Sequence, residues 1–397
     1  MKGLSNIALS VRASTTLAVD SLAKQMVSEG HDVIGFGAGE PDFDTPDNIK
    51  AAALAAMTAG ETKYTPTAGI AALRRAVAAR LLEDCGVKYE SGKIVIASGA
   101  KHSIYTALRA LLNPGDEVII PSPYWVTYTE SVRMAGGVPV IVEATRDEGF
   151  KITPEKLDEA VTVRTKLFII NNPANPTGAL YDGGELRALA DVCLRHDIYI
   201  MSDEIYCSLV YGGKKFVSVP SLGEDIKERT ILINGVSKTY AMTGWRIGYS
   251  ASNSGIAGIM ESYLSHSTSA PSTISQFAAL EALTGSQDSR DAMRAEFERR
   301  RDYAVARINS IEGVSCIEPD GAFYIMIDIG EQIGRTLGGR HIVGGDDFAL
   351  SLLKNGLVAV VSGAGFGAPG YVRMTYAVSM EKIKEGLDRL ERFVSGE

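Results

Sequence analysis

The feature that most restricts the fold is a series of short apolar runs that do not alternate with polar residues. Most of them are separated by longer segments with apolar residues at helical spacing. Strands that are apolar on both sides are buried on both faces, as in a parallel sheet covered by helices. An α/β fold with a parallel or mostly parallel sheet is therefore expected. The runs occupy residues 94–97, 117–120, 138–142, 166–170, 198–201 and 230–233.

Polar residues follow five of these runs, close to the point where each predicted strand ends. Because ligands of open α/β sheets bind at the carboxyl ends of the strands, these side chains are expected to border one site. They are Ser98, Ser122, Asn171, Asp203 and Ser237.

The two ends of the chain show a different pattern, which predicts a smaller α+β unit. A long charged helix, short strands and a closing helix after Ser379 follow the last run of the series. Helices are expected at residues 14–29, 46–57, 70–82 and 290–308, and strands at 32–36, 323–327, 357–361 and 372–376.

Residues 365–370 fit G-x-G-x-x-G, but a strand follows them and Pro369 lacks an N–H, so a dinucleotide loop is not expected.

One lysine stands out after the strand at residues 230–233. Lys238 lies in the segment GVSKTYAMTGWR, residues 235–246, between small and apolar neighbours. A partly desolvated amine has a lowered pKa and attacks carbonyl carbons. Ser237 beside it and Arg246 downstream suit a phosphate. An aldehyde that carries a phosphate is pyridoxal 5′-phosphate (PLP); the alternative is a buried lysine paired with a carboxylate.

Three motifs carry a resemblance to a known family. S-K-x-x-x-M-x-G-x-R-x-G at 237–248, N-P-x-N-P-T-G at 172–178 and D-E-x-Y at 203–206 resemble the class I, fold-type I PLP-dependent aminotransferases, which include aspartate aminotransferases. The resemblance covers essentially the whole chain. It implies a large PLP-binding domain at 47–290 with a mostly parallel mixed sheet. It also implies a smaller α+β domain formed by 1–46, which includes an N-terminal arm, and 291–397.

The resemblance also implies roles for particular residues. Lys238 would hold PLP covalently, and Asp203 would keep the pyridine nitrogen protonated. Tyr206 and Asn175 would hydrogen-bond the ring oxygen, and Trp125 would stack on the ring. Tyr64 would reach the phosphate of the neighbouring subunit, which makes a homodimer with shared sites the expected assembly. The phosphate would be held by Ser98, Gly99, Ala100, Lys101, Ser237 and Arg246.

The substrate is predicted from basic residues. Arg373 would clamp the α-carboxylate, with Gly39, Trp125 and Asn175 beside it. Arg12 and Arg109 are the candidates for a distal carboxylate, and residues 12–16 resemble the K-P-S-x-T segment of bacterial aspartate/prephenate aminotransferases, with alanine in place of proline. Transfer between L-aspartate or L-glutamate and 2-oxoglutarate or oxaloacetate is favoured. Prephenate or aromatic amino-acid transfer, a PLP-dependent C–S lyase and a non-catalytic PLP-binding regulator are the alternatives.

Composition argues against several other classes of protein. The 397 residues have a formal net charge of −8, which does not suit a nucleic-acid partner. No apolar run approaches the length needed to span a bilayer, and the N-terminus lacks a secretory signal. The four cysteines are scattered and the five histidines form no H-E-x-x-H motif, so a reduced cytoplasmic protein without a metal site is expected.

Overall fold

The computed structural model describes residues 3–11 and 15–396. Arg12, a predicted substrate-binding residue, lies outside the described residues. The α-helices of the described part are α1 (Asn6–Ser10), α2 (Thr15–Ser28), α3 (Asp47–Thr58), α4 (Ala71–Cys85), α5 (Ala100–Leu111), α6 (Thr127–Met134), α7 (Pro154–Ala160), α8 (Gly183–Arg195), α9 (Glu224–Arg229), α10 (Ser254–Ser267), α11 (Thr273–Thr284), α12 (Asp288–Ile308), α13 (Gly345–Ser351) and α14 (Met380–Ser395).

The strands fall into one large sheet and several small ones. They are β1 (Ile34–Gly35), β2 (Ile94–Ala97), β3 (Glu117–Ser122), β4 (Val138–Glu143), β5 (Thr165–Asn171), β6 (Tyr199–Asp203), β7 (Thr230–Gly235), β8 (Gly248–Ala251), β9 (Ser315–Cys316), β10 (Tyr324–Asp328), β11 (Thr336–Leu337), β12 (Arg340–His341), β13 (Val358–Ala359), β14 (Val361–Ser362) and β15 (Tyr371–Thr375). Short 3₁₀ segments lie at Ser91–Lys93, Val219–Leu222, Thr243–Trp245, Gly330–Gln332 and Gly363–Phe366, and a π-helical turn at Leu352–Gly356.

The large sheet confirms the predicted α/β architecture. Its strand order is β2-β8-β7-β6-β5-β3-β4. All neighbouring pairs are parallel except those of β8, which runs antiparallel to β2 and β7. Each of the six predicted apolar runs forms a strand, but β8 was not predicted. In the register of β5 and β6, Asn171 lies opposite Asp203. The carboxyl ends of the two strands therefore place these polar side chains at the same edge.

Helices cover both faces of this sheet. Successive residues of each strand point to opposite faces, so each strand packs against helices on both sides. Ile231 and Ile233 of β7 pack in a core with Ile104 and Leu108 of α5. Leu232, between them in sequence, packs on the other face with Leu73 and Val77 of α4 and with α11. A separate core joins α8 to β5 and β6. Burial on both sides explains why these strands show no polar alternation.

The smaller sheet has the order β14-β15-β10-β9 and is antiparallel. The predicted strand at 357–361 is divided into β13 and β14 by Val360. β1 pairs in parallel with β13, with Ile34 opposite Val358. This pairing supports the assignment of the N-terminal segment to the smaller unit, while the boundaries at residues 46–47 and 290–291 remain a prediction.

Helix ends follow their local sequences. Asp182 and Glu185 form a capping box at the start of α8, and Ser379 caps α14. α4 ends at Gly86, which adopts a left-handed conformation with φ of 68°. The glycine-rich segment at 365–370 leads into β15 and not into a helix, as predicted. None of the described helices combines the length and apolar character needed to cross a bilayer.

Candidate active site

A cavity of about 440 Å³ opens where the carboxyl ends of the large sheet meet the smaller one. It collects most of the predicted site residues from segments that are far apart in the sequence. The predicted residues that line it are Gly39, Ala100, Lys101, Trp125, Asn175, Asp203, Tyr206, Ser237, Lys238, Arg246 and Arg373. Side chains of both signs therefore border one space.

Lys238 lies just after β7, and its amine is buried in the cavity wall. Burial lowers the pKa of Lys238 to about 8, against the opposing influence of Glu40 and Asp203. The ammonium donates a hydrogen bond to the carbonyl oxygen of Gly39. No carboxylate of the described residues forms an ion pair with it. This arrangement argues against a lysine buried as one half of a salt bridge and favours an amine available for chemistry.

Asp203 ends β6 with its carboxyl group fully buried and 2% of the residue exposed. Burial raises the pKa of Asp203 to about 6. The Tyr128 hydroxyl donates to Oδ2 over 2.7 Å, and the backbone N–H of Ile205 donates to Oδ1 over 3.2 Å. Both bonds favour the charged form and oppose the effect of burial. A carboxyl group in this state would gain strongly from a cationic partner in the cavity.

The start of α5 forms a compact anion-binding corner. Gly99 precedes the helix with φ of 90°, so a side chain there would be strained. A Cβ on Gly99 would also lie 2.4 Å from Nη2 of Arg246. Arg246 itself adopts a left-handed φ of 56°, and its Nη1 donates to the carbonyl oxygen of Thr243 over 2.7 Å. A positive helix end beside a fixed guanidinium suits a phosphate group.

β8, the one strand of the large sheet that was not predicted, forms the back of this corner. A Cβ on Gly248 would lie 2.2 Å from the nitrogen of Ala100 and 2.4 Å from the carbonyl carbon of Gly99. Glycine is therefore required for β8 to approach the helix start. Gly248 is the last glycine of the lysine motif. The motif therefore marked this position in the sequence, but it did not show that β8 approaches the start of α5 there.

Arg373 projects from the middle of β15 and is 3% exposed. Its Nη1 donates to Oδ1 of Asn175 over 3.0 Å, and its Nη2 donates to the carbonyl oxygen of Gly37 over 2.7 Å. Its Nε is buried without a hydrogen-bond partner in the described structure. Burial lowers the pKa of Arg373. A buried guanidinium with unused donors at a cavity is suited to bind a carboxylate.

Several predicted residues lie elsewhere. Tyr64 is 99% exposed and does not line the cavity. Arg109 turns away from it, because its Nη1 donates to the carbonyl oxygen of Ala135 and its guanidinium lies over the Tyr263 ring. Ser98 borders an adjoining cavity of about 560 Å³, which it shares with Lys101 and Arg246.

Lys101, like Arg246, is a basic residue that lines both cavities. Its ammonium lies 5.0 Å from the centre of the Trp125 ring, and burial lowers the pKa of Lys101, with Arg246 adding to the effect. No carboxylate of the described ranges pairs with it. The sequence placed Lys101 near the phosphate, whereas the geometry also makes it available to a second ligand group.

Other residues of the cavity were not predicted from the sequence. Tyr128 and Tyr324 are aromatic residues in apolar surroundings, which predict core packing. Both instead place a hydroxyl among the polar groups of the site. Asn171 was noticed as a polar residue after a strand, but no role was assigned to it. Its amide donates to the carbonyl oxygen of Asp203, and its Oδ1 accepts from the N–H of Asn175.

Known proteins match this chain along nearly its full length. The family model described as aminotransferase class I and II matches residues 31–390. An aspartate aminotransferase of Bacillus subtilis (strain 168) is 47% identical over 381 residues, 96% of each chain. An aspartate/prephenate aminotransferase of Cereibacter sphaeroides is 48% identical and covers 100% of both chains.

Solved structures also superpose on nearly the full length of this chain. The crystal structure of the aspartate aminotransferase from Rhizobium meliloti superposes with a TM-score of 0.96 at 40% identity, with 100% of both chains covered. The solved structure of the aspartate aminotransferase from Thermus thermophilus with maleate has a TM-score of 0.93 at 41% identity, with 99% of this chain and 100% of the other covered.

Proposed function

The chain belongs to the aminotransferase class I and II family, and from this premise we propose that it uses PLP to move an amino group between L-aspartate or L-glutamate and 2-oxoglutarate or oxaloacetate. The transfer takes place in two half-reactions, because one cavity must bind the donor and the acceptor in turn. The observation that carries the proposal is the placement of the Lys238 amine, the Asp203 carboxyl group and the Arg373 guanidinium around one cavity.

The residues of the cavity fit PLP. Asp203 offers a buried carboxyl group for a protonated ring nitrogen, Lys238 offers an amine for an aldehyde, and the start of α5 with Ser237 and Arg246 offers donors for a phosphate. Tyr206, Asn175 and Trp125 border the space in which the ring would lie. When bound, PLP supplies an electron sink for the bonds around the substrate Cα.

The chain's own groups would then do three things. Asp203 would hold positive charge at the ring nitrogen, and that charge would lower the pKa of Asp203 from its raised value. Burial lowers the pKa of Lys238 to about 8 in the chain without cofactor, which favours the neutral amine, and its Nζ would take the proton from the substrate Cα and hold it for return. Arg373 binds the α-carboxylate and fixes the orientation of that Cα–H bond.

Lys101 replaces Arg109 in our assignment of the distal carboxylate. Its ammonium faces the cavity, whereas Arg109 is engaged with Ala135. A dicarboxylic donor therefore meets one cation for each carboxylate. Prephenate is the second candidate acceptor, since it also carries two carboxylates and the Cereibacter relative is named for both activities.

We also propose a cytoplasmic homodimer. Tyr64 is too exposed to act in its own cavity, and an exposed aromatic side chain is suited to a subunit contact. In such a dimer the hydroxyl of Tyr64 would contact the phosphate bound by the other subunit. The cysteines of the described chain are all free thiols, which suits a reducing compartment.

The experiment that tests the function replaces Lys238. Lys238→Ala should reduce both half-reactions, aspartate with PLP-loaded protein and 2-oxoglutarate with the aminated form, by more than about 10³-fold, because the covalent link and the Cα base are lost together. Stopped-flow absorbance of the cofactor follows each half-reaction. Lys166→Ala is the control. Lys166 lies near the start of β5, at the end of the strand away from the cavity, so this variant should match the wild type. Half-reactions that survive Lys238→Ala at the wild-type rate would refute the assignment.

A further inference from the structure

Two buried tyrosines meet where the two sheets come together. Tyr206 follows β6 of the large sheet and Tyr324 begins β10 of the smaller one. Their hydroxyl oxygens are 3.0 Å apart, and the residues are 3% and 1% exposed. Their rings pack edge to face with centroids 5.8 Å apart. The backbone fixes this contact, because the N–H of Ala322 donates to the carbonyl oxygen of Leu209 over 2.9 Å.

Tyr324 also contacts the predicted carboxylate clamp. The Arg373 guanidinium lies 4.3 Å from the centre of the Tyr324 ring, where the negative face of the ring attracts it. On the cavity side, a Cβ on Gly39 would lie 2.6 Å from the Tyr324 hydroxyl. The glycine therefore leaves room for this hydroxyl. One residue thus touches Arg373 with its ring and Tyr206 with its oxygen.

The protons of this pair can be counted. A phenol has one O–H to donate. If Tyr206 donates its proton to the ring oxygen of PLP, the role that the family resemblance implies, its oxygen can only accept from Tyr324. Tyr324 must then be the donor across the 3.0 Å contact. Donation to the Tyr206 oxygen makes its own O–H a stronger donor, because hydrogen bonds in a chain polarise one another.

We propose that Tyr324 is a positioning residue that couples the substrate-carboxylate site to the cofactor ring: its ring orients Arg373 and its hydroxyl strengthens the hydrogen bond that Tyr206 gives to PLP. The proposal rests on the proposed function. The charged and titratable groups that face the two hydroxyls are Asp203, Arg373 and Glu40, and Lys238 shares their cavity.

The hydroxyl is tested by spectroscopic titration of the resting, PLP-loaded protein. Tyr324→Phe keeps the ring and removes the O–H, so the hydrogen bond from Tyr206 to the ring oxygen becomes weaker. The apparent pKa at which the cofactor absorbance changes should then rise by about 0.3 unit, a twofold change in the ratio of the protonated to the deprotonated form. Tyr206→Phe should raise it further. In the Tyr206→Phe background, Tyr324→Phe should add no shift, because the acceptor is gone.

The ring is tested by the equilibrium binding of maleate. Tyr324→Leu should weaken maleate binding about fivefold or more, because Arg373 loses the nearer of its two aromatic rings and keeps only Phe366 at 5.0 Å, whereas Tyr324→Phe should stay within about twofold of the wild type. Tyr376→Phe is the matched control. Its fully buried hydroxyl donates to the carbonyl oxygen of Ala322 over 3.1 Å outside the cavity, so its loss should change neither quantity.

The outcomes are distinguishable. An absent shift in Tyr324→Phe, the same shift in both backgrounds, or equal effects of Tyr376→Phe would overturn the role of Tyr324 and leave the proposed function standing. A protein that gains no absorbance from added PLP would overturn both.

Discussion

At the residue scale, Asp203 shows most clearly how this site trades stability for function. Its carboxyl group is removed from water by β5, β6 and Tyr128, and burial raises its pKa to about 6 from an ordinary 3.8. A buried carboxylate without a cationic partner is costly. The same burial makes it a strong partner for a protonated ring nitrogen. The chain therefore carries a local penalty that a bound cofactor would remove.

This penalty has a definite pH dependence. Between about pH 3.8 and pH 6 the folded state keeps a proton on Asp203 that the unfolded state has lost, so the contribution of this group to stability falls as the pH rises. Above pH 6 the loss is constant, at about 3 kcal/mol for a shift of this size.

Asp203→Asn should therefore stabilise the cofactor-free protein near pH 7.5, and the gain should fade towards pH 4.5. The free energy of unfolding from urea titration, measured for the variant and the wild type across this range, gives the difference directly. The variant should also bind PLP more weakly, because the ring nitrogen loses its anion. A stability difference that does not change with pH would contradict the assigned pKa.

The residue scale is also where the sequence was least informative. Lys238, Asp203 and Arg373 were recognisable because charged residues interrupt apolar segments. The hydroxyls of Tyr128 and Tyr324 were not, since buried tyrosines usually indicate core packing. Arg109 was proposed from helical spacing alone, and spacing does not determine that its guanidinium reaches the carbonyl oxygen of Ala135.

At the scale of elements, the contact between β8 and the start of α5 determines the shape of the anion-binding corner. The sequence predicted the other strands of the large sheet because each is a continuous apolar run. β8 reads Gly-Tyr-Ser-Ala and has no such run, and its place depends on pairing with both β2 and β7. Such pairing is a tertiary effect that no local pattern reveals.

Gly248→Ala tests this contact. The new Cβ would lie 2.2 Å from a backbone nitrogen, so the start of α5 must move, and overpacking of this kind costs about 1–3 kcal/mol. We expect a lower free energy of unfolding and an affinity for PLP reduced by about tenfold or more, measured by cofactor titration of the apoprotein.

Gly258→Ala is the control for this substitution. It lies in α10, exposed and with no atom within 4 Å of the new Cβ, so it should be neutral or stabilise the helix by about 0.5–1 kcal/mol. If Gly248→Ala left PLP affinity unchanged, the corner would not be the phosphate site.

At the scale of the whole molecule, two sheets of different construction share one cavity. The large sheet supplies Asp203 and the lysine segment, and the smaller sheet supplies Arg373 and Tyr324. The sequence predicted this division, because the apolar runs are confined to one part of the chain. It could not give the subunit arrangement, which depends on complementary surfaces and not on local pattern.

The proposed dimer predicts that cofactor binding depends on protein concentration. Sedimentation should give twice the chain mass, and PLP affinity should fall when the protein is diluted until it dissociates. Tyr64→Phe should remain dimeric but bind PLP about tenfold more weakly, because one hydrogen bond to a charged phosphate is lost. A monomer with full PLP affinity would exclude the shared site.

The proposed function depends above all on Lys238 as the amine that holds the cofactor. Borohydride reduction of the PLP-loaded protein, followed by peptide mass spectrometry, tests it most directly, since Lys24 and Lys101 also line the cavity and compete as targets. We expect one phosphopyridoxyl group per chain, on Lys238. A label on Lys24 or Lys101, or no label at all, would contradict it.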